Sequence, residues 1–217
     1  MDGNKERGGK LLNNGTEKYI ETVAYLGKLY DFCNEKFFNG KLKKPVITIQ
    51  RDERNKTFGW WSVEKVWKEV SEDDGEHELN ITAQQLNRPI GLIAATLIHE
   101  MCHQYAAEND LQDCSRGGTY HNKLFRKIAE THGLSVKQLP QIGWSHTELT
   151  KESERLINNF VAENPPTIIY RLQVFKGQTV KSTSTRKYIC PVCGNSVRAT
   201  KAVNIMCLDC NEPMTEE

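Results

Sequence analysis

Leu97-Ile98-His99-Glu100-Met101-Cys102-His103 is the stretch that decides how the rest of the chain is read. Two histidines four residues apart share one helical face, a turn apart, and can grip a single metal ion. The glutamate after the first histidine is placed to act as general base on a water in the ion's open position. Around this H-E-x-x-H, Ile90, Ile93, Ala94, Leu97, Ile98, Met101 and Cys102 are apolar on most of the circumference, which marks a core helix. Buried histidines and a buried glutamate are costly without a partner, and a zinc ion supplies one. Asn87-Arg88-Pro89 offers a helix start, with a capping side chain and a proline in the first turn.

Upstream, Tyr19, Ile20, Val23, Leu26, Tyr30, Cys33 and Phe37 recur at helical steps, so Glu17 to Phe38 reads as an amphipathic helix stopped by Asn39-Gly40. Val46 to Gln50 is a short β-branched strand opened by Pro45. Phe58 to Val63, the stretch around Val66-Trp67, and Glu78 to Thr82 read as further strands. Trp60 and Trp61 face opposite sides of their strand, so at most one is core and the other is a candidate to line a substrate cleft. A helix, a small twisted sheet and then helices make an α+β layout.

Downstream, Glu108 to Gly118 is polar and loop-like, and Tyr120 to Thr131 reads as a helix ended by His132-Gly133. Its inward face is His121, Leu124, Phe125 and Ile128, which aims His121 at the centre where a third metal ligand is missing. His77, His132 and His146 sit in a turn, at a helix end and after a connection. Glu130 is half a turn round the helix from His121 and faces away. The metzincin extension fails, because Ala106 and Asn109 stand where it needs glycine and histidine. Lys151 to Ala162 reads as another helix. Asn164-Pro165-Pro166 is the expected boundary, and Thr167 to Phe175 alternates like a strand.

A second constellation lies beyond it. Cys190-Pro191-Val192-Cys193 and Cys207-Leu208-Asp209-Cys210 are two C-x-x-C knuckles separated by thirteen residues. Four thiolates at this spacing make the closed tetrahedron of a structural zinc ribbon, with Val197 to Met206 as its hairpin. So small a module needs its metal in order to fold. Cys33 and Cys102 read as packed thiols.

Length and charge bound the rest. The 217 residues hold one ordinary domain and a small appendage. No apolar run approaches the ~20 residues that cross a bilayer. Met1 to Thr16, rich in Gly, Asn and Lys, reads as disordered and not as a signal peptide. With seven cysteines, that implies a reducing, cytoplasmic setting. Between Asn164 and Met206 there are seven basic residues (Arg171, Lys176, Lys181, Arg186, Lys187, Arg198, Lys201) and no acidic one. Residues 1–163 carry 22 basic against 24 acidic side chains, a balance of −2, so a near-neutral body bears a basic arm suited to phosphate contacts.

These residues together resemble the SprT-like family of zinc metallopeptidases. The carriers are Phe58-Gly59-Trp60, Glu78-Leu79-Asn80-Ile81, the H-E-x-x-H, Ser115 to Phe125 (Ser-Arg-Gly-Gly-Thr-Tyr-His-Asn-Lys-Leu-Phe) and Gly143-Trp144-Ser145-His146-Thr147-Glu148-Leu149. The match covers roughly Tyr19 to Leu149 and the ribbon. The resemblance implies a zincin-like domain over 17–163, followed by a basic linker and zinc ribbon over 164–217. It implies a catalytic zinc on His99, His103 and His121, Glu100 as base, and cleavage of proteins held on or crosslinked to DNA. Tyr105 occupies an aromatic position of the family, and Asn122 stands where some members carry glycine. Trp60, Tyr105 and Tyr120 are the candidate substrate-binding residues, with Arg116 a further candidate oxyanion donor. Two zinc ions, protein substrates, DNA on the arm and no membrane complete the expectation. The other reading is a nucleic-acid-binding zinc ribbon on a zincin scaffold without significant proteolysis.

Overall fold

The computed structural model describes residues 14–53, 57–71, 73–173 and 185–217. Of Met1–Thr16, expected to be disordered, residues 1–13 lie outside the described residues, as do Lys176 and Lys181 of the basic arm, whereas Asn14 caps a helix that already holds Gly15 and Thr16. The chain forms two compact units, Met1–Leu172 and Gln173–Glu217. The break falls after Leu172 and not at Asn164, because the stretch after Pro166 is tied into the first unit. Thr22 Oγ1 accepts the N–H of Ile169 at 3.0 Å, and the Ala83 carbonyl accepts the N–H of Arg171 at 3.0 Å. These bonds make residues 167–172 an extended strap, where the alternation of the sequence suggests a strand.

In the first unit, helix α1 (Gly15–Phe38) starts two residues before Glu17. Asn14 and Glu17 cap it reciprocally, each side chain accepting the other's backbone N–H at 3.0 Å. Its buried stripe runs through Thr22, Tyr25, Leu26, Leu29, Tyr30 and Cys33, whereas Tyr19 and Ile20, expected inside, are exposed. Asn39 ends the helix in the left-handed conformation.

Strands β1 (Val46–Thr48), β2 (Gly59–Trp61), β3 (Trp67–Lys68), β4 (Gly75–Glu76) and β5 (Glu78–Ile81) follow. They give a sheet of order β1-β5-β2, in which β1 runs parallel and β2 antiparallel to β5, and a separate β3–β4 hairpin. The central β5 is wholly buried, so its polar side chains need internal partners. Asn80 Oδ1 accepts the Gln50 N–H at 2.6 Å. The Glu78 carboxylate takes the indole N–H of Trp60, the indole N–H of Trp67 and the Gln50 amide, each at 2.8 Å. One carboxylate thereby fastens the hairpin to the sheet.

Helix α2 (Ile90–Glu108) is the centre of the unit. The expected cap by Asn87 is not made. Pro89 itself occupies the capping position, where a missing N–H loses nothing, and its carbonyl accepts from Leu92 and Ile93. Ile93, Leu97, Ile98, Met101 and Cys102 are completely buried. Replacing one such leucine with alanine costs roughly 2–5 kcal/mol. Around α2 pack α1, the sheet and the second half of the unit: β6 (Cys114–Ser115), β7 (Tyr120–His121), α3 (Lys123–Thr131), β8 (Leu134–Leu139), β9 (Gly143–Leu149) and α4 (Lys151–Glu163). The last four strands form a second sheet of order β6-β7-β9-β8. The fold is α+β, with four helices among the described residues, none long and apolar enough to cross a membrane.

The described residues of the second unit form only strands and turns. β10 (Arg186–Ile189) pairs with β11 (Ser196–Ala199), β12 (Met206–Cys207) with β13 (Glu212–Pro213), and β14 (Thr215–Glu216) returns to β10. Each knuckle is therefore the tip of its own hairpin, and the stretch between the knuckles is not the hairpin expected over Val197–Met206.

Candidate metal centres

Helix α2 presents His99 and His103 one turn apart, and β7 brings His121 to meet them. The three Nε2 atoms lie 3.1, 3.2 and 3.3 Å from one another. Ligands of a tetrahedral zinc with Zn–N of ~2.05 Å stand about 3.3 Å apart, so the triangle has the size of one face of such a site. The outer ring nitrogens are engaged elsewhere. His103 Nδ1 is 2.5 Å from Asp113 Oδ2, His99 Nδ1 is 3.0 Å from Thr147 Oγ1, and His121 Nδ1 is 3.4 Å from the Ile142 carbonyl. A carboxylate and a carbonyl only accept, so His103 and His121 donate through Nδ1 and turn Nε2 inward. Three inward nitrogens this close need a cation among them, a proton or a metal.

The ionisation of the rings agrees. Burial, then the neighbouring His103, pulls His121 down to about 4, and His99 falls well below its ordinary value for the same reasons. Burial also works against a charge on His103, but the Asp113 carboxylate and Cys114 outweigh it and raise this pKa to about 10. A proton on His103 can serve as that cation, and a metal would take its place. Beneath all three rings lies Phe125, fully buried, with ring centroids 4.6 to 4.7 Å from each imidazole.

His121 comes to the cluster from a strand and not from the helix face expected. Helix α3 begins only at Lys123, because Asn122 caps it by accepting the N–H of Leu124 at 2.7 Å and of Phe125 at 3.1 Å. His121 pairs with Cys114 across β6–β7 and with Gly143 across β7–β9. Gly143 has φ +73°, and a Cβ there would stand 2.1 Å from the His121 carbonyl, so only glycine allows this approach.

Glu100 is buried on the same helix. Desolvation raises its pKa to about 7, partly offset by His103 and by the backbone N–H of Trp61. That last contact follows from strand register. Ser62 donates its N–H to the Glu78 carbonyl and Thr82 donates to that of Phe58. Alternation therefore turns the backbone groups of Gly59 and Trp61 away from β5. The outer edge of β2 thus runs beside Glu100.

The other candidates are placed elsewhere. Tyr105, two residues past His103, is on the far side of α2, its ring packed on His132 at 4.7 Å and Phe38 at 6.3 Å. Tyr120 points to the face of β7 opposite His121, under the Arg116 guanidinium at 4.7 Å and with its hydroxyl accepting from Gln138. Trp60 stays on β2, its indole held by Glu78. His77 stacks on Trp61, His132 on Phe38, and His146 faces Glu148. Glu130 pairs with Arg126 away from the triad. Asp113 and Thr147, the partners of His103 and His99, carried no sign in the sequence, since both come from segments without helical phase to α2.

In the second unit, Cys190, Cys193, Cys207 and Cys210 gather with every sulfur within 4.8 Å of the others. Cys193 and Cys207 Sγ are 3.7 Å apart, too far for a disulfide and near the ~3.8 Å edge of a tetrahedral zinc–sulfur site. The N–H groups of Cys193 and Val192 aim at Cys190 and lower its pKa to about 7. Gly194 and Asn211, each following the second cysteine of its knuckle, both take the left-handed conformation that the tight turn demands.

An α+β domain with three converging histidines and a buried glutamate on one helix has the composition of a metallopeptidase-like domain. The SprT-like family matches residues 26–146, more than half of the chain, and the chain belongs to that family. The matched stretch contains the triad and ends before the four cysteines. Comparisons with curated proteins and with solved structures gave no match.

Proposed function

We propose that this chain is a zincin-type zinc metalloendopeptidase that hydrolyses protein substrates, including proteins bound or crosslinked to DNA. The observation that carries the reading is Glu100, a buried carboxylate adjoining the histidine triad on one helix. A structural metal site has no use for such a group. His99, His103 and His121 would hold the catalytic zinc, and the four cysteines a structural one. Bound zinc supplies a Lewis acid for the scissile carbonyl and acidifies water.

The chain's own residues do the rest. Asp113 and Thr147 fix two of the imidazoles, so that the ligand atoms need no reorganisation. Glu100 accepts a proton from the attacking water and delivers it to the leaving amine. Its pKa of about 7 suits both steps near neutrality. The outer edge of β2, beside Glu100, receives the substrate as an added strand, and backbone pairing of that kind tolerates many sequences.

The reading as a nucleic-acid module on an inactive scaffold has weaker support. Within the ribbon, Arg186 is paired to Glu216 at 2.8 Å and Lys187 to Glu217, so two of the seven basic residues are already neutralised. The test is digestion of casein and of a basic DNA-binding protein by zinc-loaded protein, with and without single-stranded DNA. Hydrolysis abolished by a chelator and restored by zinc supports the proposal; no hydrolysis under any of these conditions overturns it.

A further inference from the structure

Four segments of the first unit meet around a small cavity that the metal centre does not use. It has a volume of about 210 Å³ and is lined by Tyr19 from the start of α1, Ile49 and Arg51 after β1, Ala83 after β5, and Ile169, Tyr170 and Arg171 of the strap. A drug-sized ligand takes roughly 300–1,000 Å³, so this space suits one flat ring and not a whole cofactor. Tyr19 and Tyr170 are 44% and 51% exposed. Single exposed aromatics are ordinary, but two of them sharing a cavity with two guanidinium groups are not.

Both cations are available. Arg51 has an exposed carboxylate, Glu53, at 4.0 Å, the outer limit of an ion pair and one that holds it weakly. Among the described residues the Arg171 guanidinium has no salt-bridge partner. Its backbone is nonetheless fixed by the bond to Ala83, so the strap carries Tyr170 and Arg171 to the cavity in a set position. Ile49 and Ile169 give the cavity an apolar wall. An apolar slot with aromatic rims beside two positive charges matches a planar base joined to a phosphate.

We propose that this cavity is a nucleotide-binding site for single-stranded nucleic acid, with one base against Tyr19 or Tyr170 and flanking phosphates on Arg51 and Arg171. A duplex keeps its bases stacked inside and cannot offer this combination. The site belongs to the body of the protein, and of the basic arm it uses Arg171 alone. It does not depend on peptidase activity, because its readout is binding.

The experiment compares full-length wild type with Tyr19→Ala/Tyr170→Ala and Arg51→Glu/Arg171→Glu, all checked for unchanged metal content. Fluorescence anisotropy follows a labelled oligothymidine strand, a duplex of equal length and a labelled polyglutamate peptide. Loss of one base stack of ~1–3 kcal/mol predicts single-strand binding weakened about fivefold to 150-fold in the tyrosine variant, with duplex binding unchanged. The arginine variant should lower the log–log salt slope by about 1.4, from ~0.7 per phosphate contact. Single-strand affinity within twofold of wild type in the tyrosine variant overturns the site. So does an equal loss on the duplex, and so does a tyrosine-dependent affinity for polyglutamate without one for the strand.

Discussion

Asp113 and Asn122 are bound through their backbones, the Asn122 N–H donating to the Asp113 carbonyl at 3.0 Å. The Asn122 side chain donates to the Gln112 carbonyl at 2.7 Å while capping α3. The residue after one histidine of the triad therefore anchors the loop whose carboxylate orients another, His103. This gives asparagine at 122 a structural role. Asp113→Ala should leave the three ligands in place yet weaken zinc binding about 10- to 100-fold, the usual effect of removing a carboxylate behind a metal-bound histidine. Competition against a chromophoric chelator measures it. Wild-type affinity in the variant would show that His103 is oriented by its packing on Phe125 alone.

Glu100→Gln keeps the shape of the side chain and its contact with the Trp61 N–H, but removes the proton acceptor. We expect the fold and the metal content to survive while hydrolysis falls by about 10²–10⁴-fold, the range for a lost general base. Casein turnover, with zinc content measured on the same sample, separates the two properties. Turnover near the wild-type rate with full zinc would move the base role to another group.

How much of this was readable beforehand depended on whether the signal was local. The pattern on α2 is local: apolar spacing and H-E-x-x-H lie within one segment, and the burial of Leu97, Ile98 and Met101 follows from periodicity. His121 was legible as a member of the histidine cluster but not as a strand residue, because the Asn122 cap starts the helix at Lys123, three residues later than Tyr120. The β8–β9 hairpin was missed although Gly143–Leu149 stood out as a motif, since alternation there is broken by Trp144 and by the bulge near Leu139. Asp113, Thr147 and the Glu78 clamp were out of reach. Each joins residues 10 to 48 positions apart, through loops and strand ends that carry no period of their own. Tyr105 misled for the opposite reason. Its position was taken from resemblance, while helical geometry turns it toward His132.

His132 provides a prediction about pH. It is buried between Phe38 and Tyr105, and its Nδ1 donates to the Ile128 carbonyl at 2.7 Å. Burial holds its pKa below the ordinary value, only partly opposed by that hydrogen bond. A folded-state pKa depressed below the unfolded one means that the unfolded chain binds the proton better. The stability His132 contributes is then complete above the unfolded value of ~6.5 and drains away as pH falls from there toward the folded value. His132→Phe keeps a ring in the stack and removes the titration. Urea midpoints at pH 7.5 and pH 5.5 should drop more for wild type than for the variant. Equal drops would mean that other groups, the metal ligands foremost, carry the whole acid sensitivity.

The last prediction separates the two metal centres. The four cysteines lie in a unit of its own, Gln173–Glu217, whose described strands are two to four residues long. Among its described residues only Tyr188, Cys190 and Cys207 are buried hydrophobic residues. So little apolar burial cannot offset the entropy of ordering the chain, and the cross-link through a metal must supply the difference. The triad, by contrast, sits on α2 and β7, in a unit whose core is complete without any ion. Replacing Cys190 and Cys207 with serine should therefore remove one of about two zinc ions per chain and expose the second unit to proteolysis. The first unit should keep its own ion and its resistance to protease. Native mass spectrometry counts the ions, and limited proteolysis locates the cleavage. Loss of both ions, or of neither, would contradict independent sites. Retention of one ion with a protease-resistant second unit would mean that the ribbon is held together by its hairpins and not by metal.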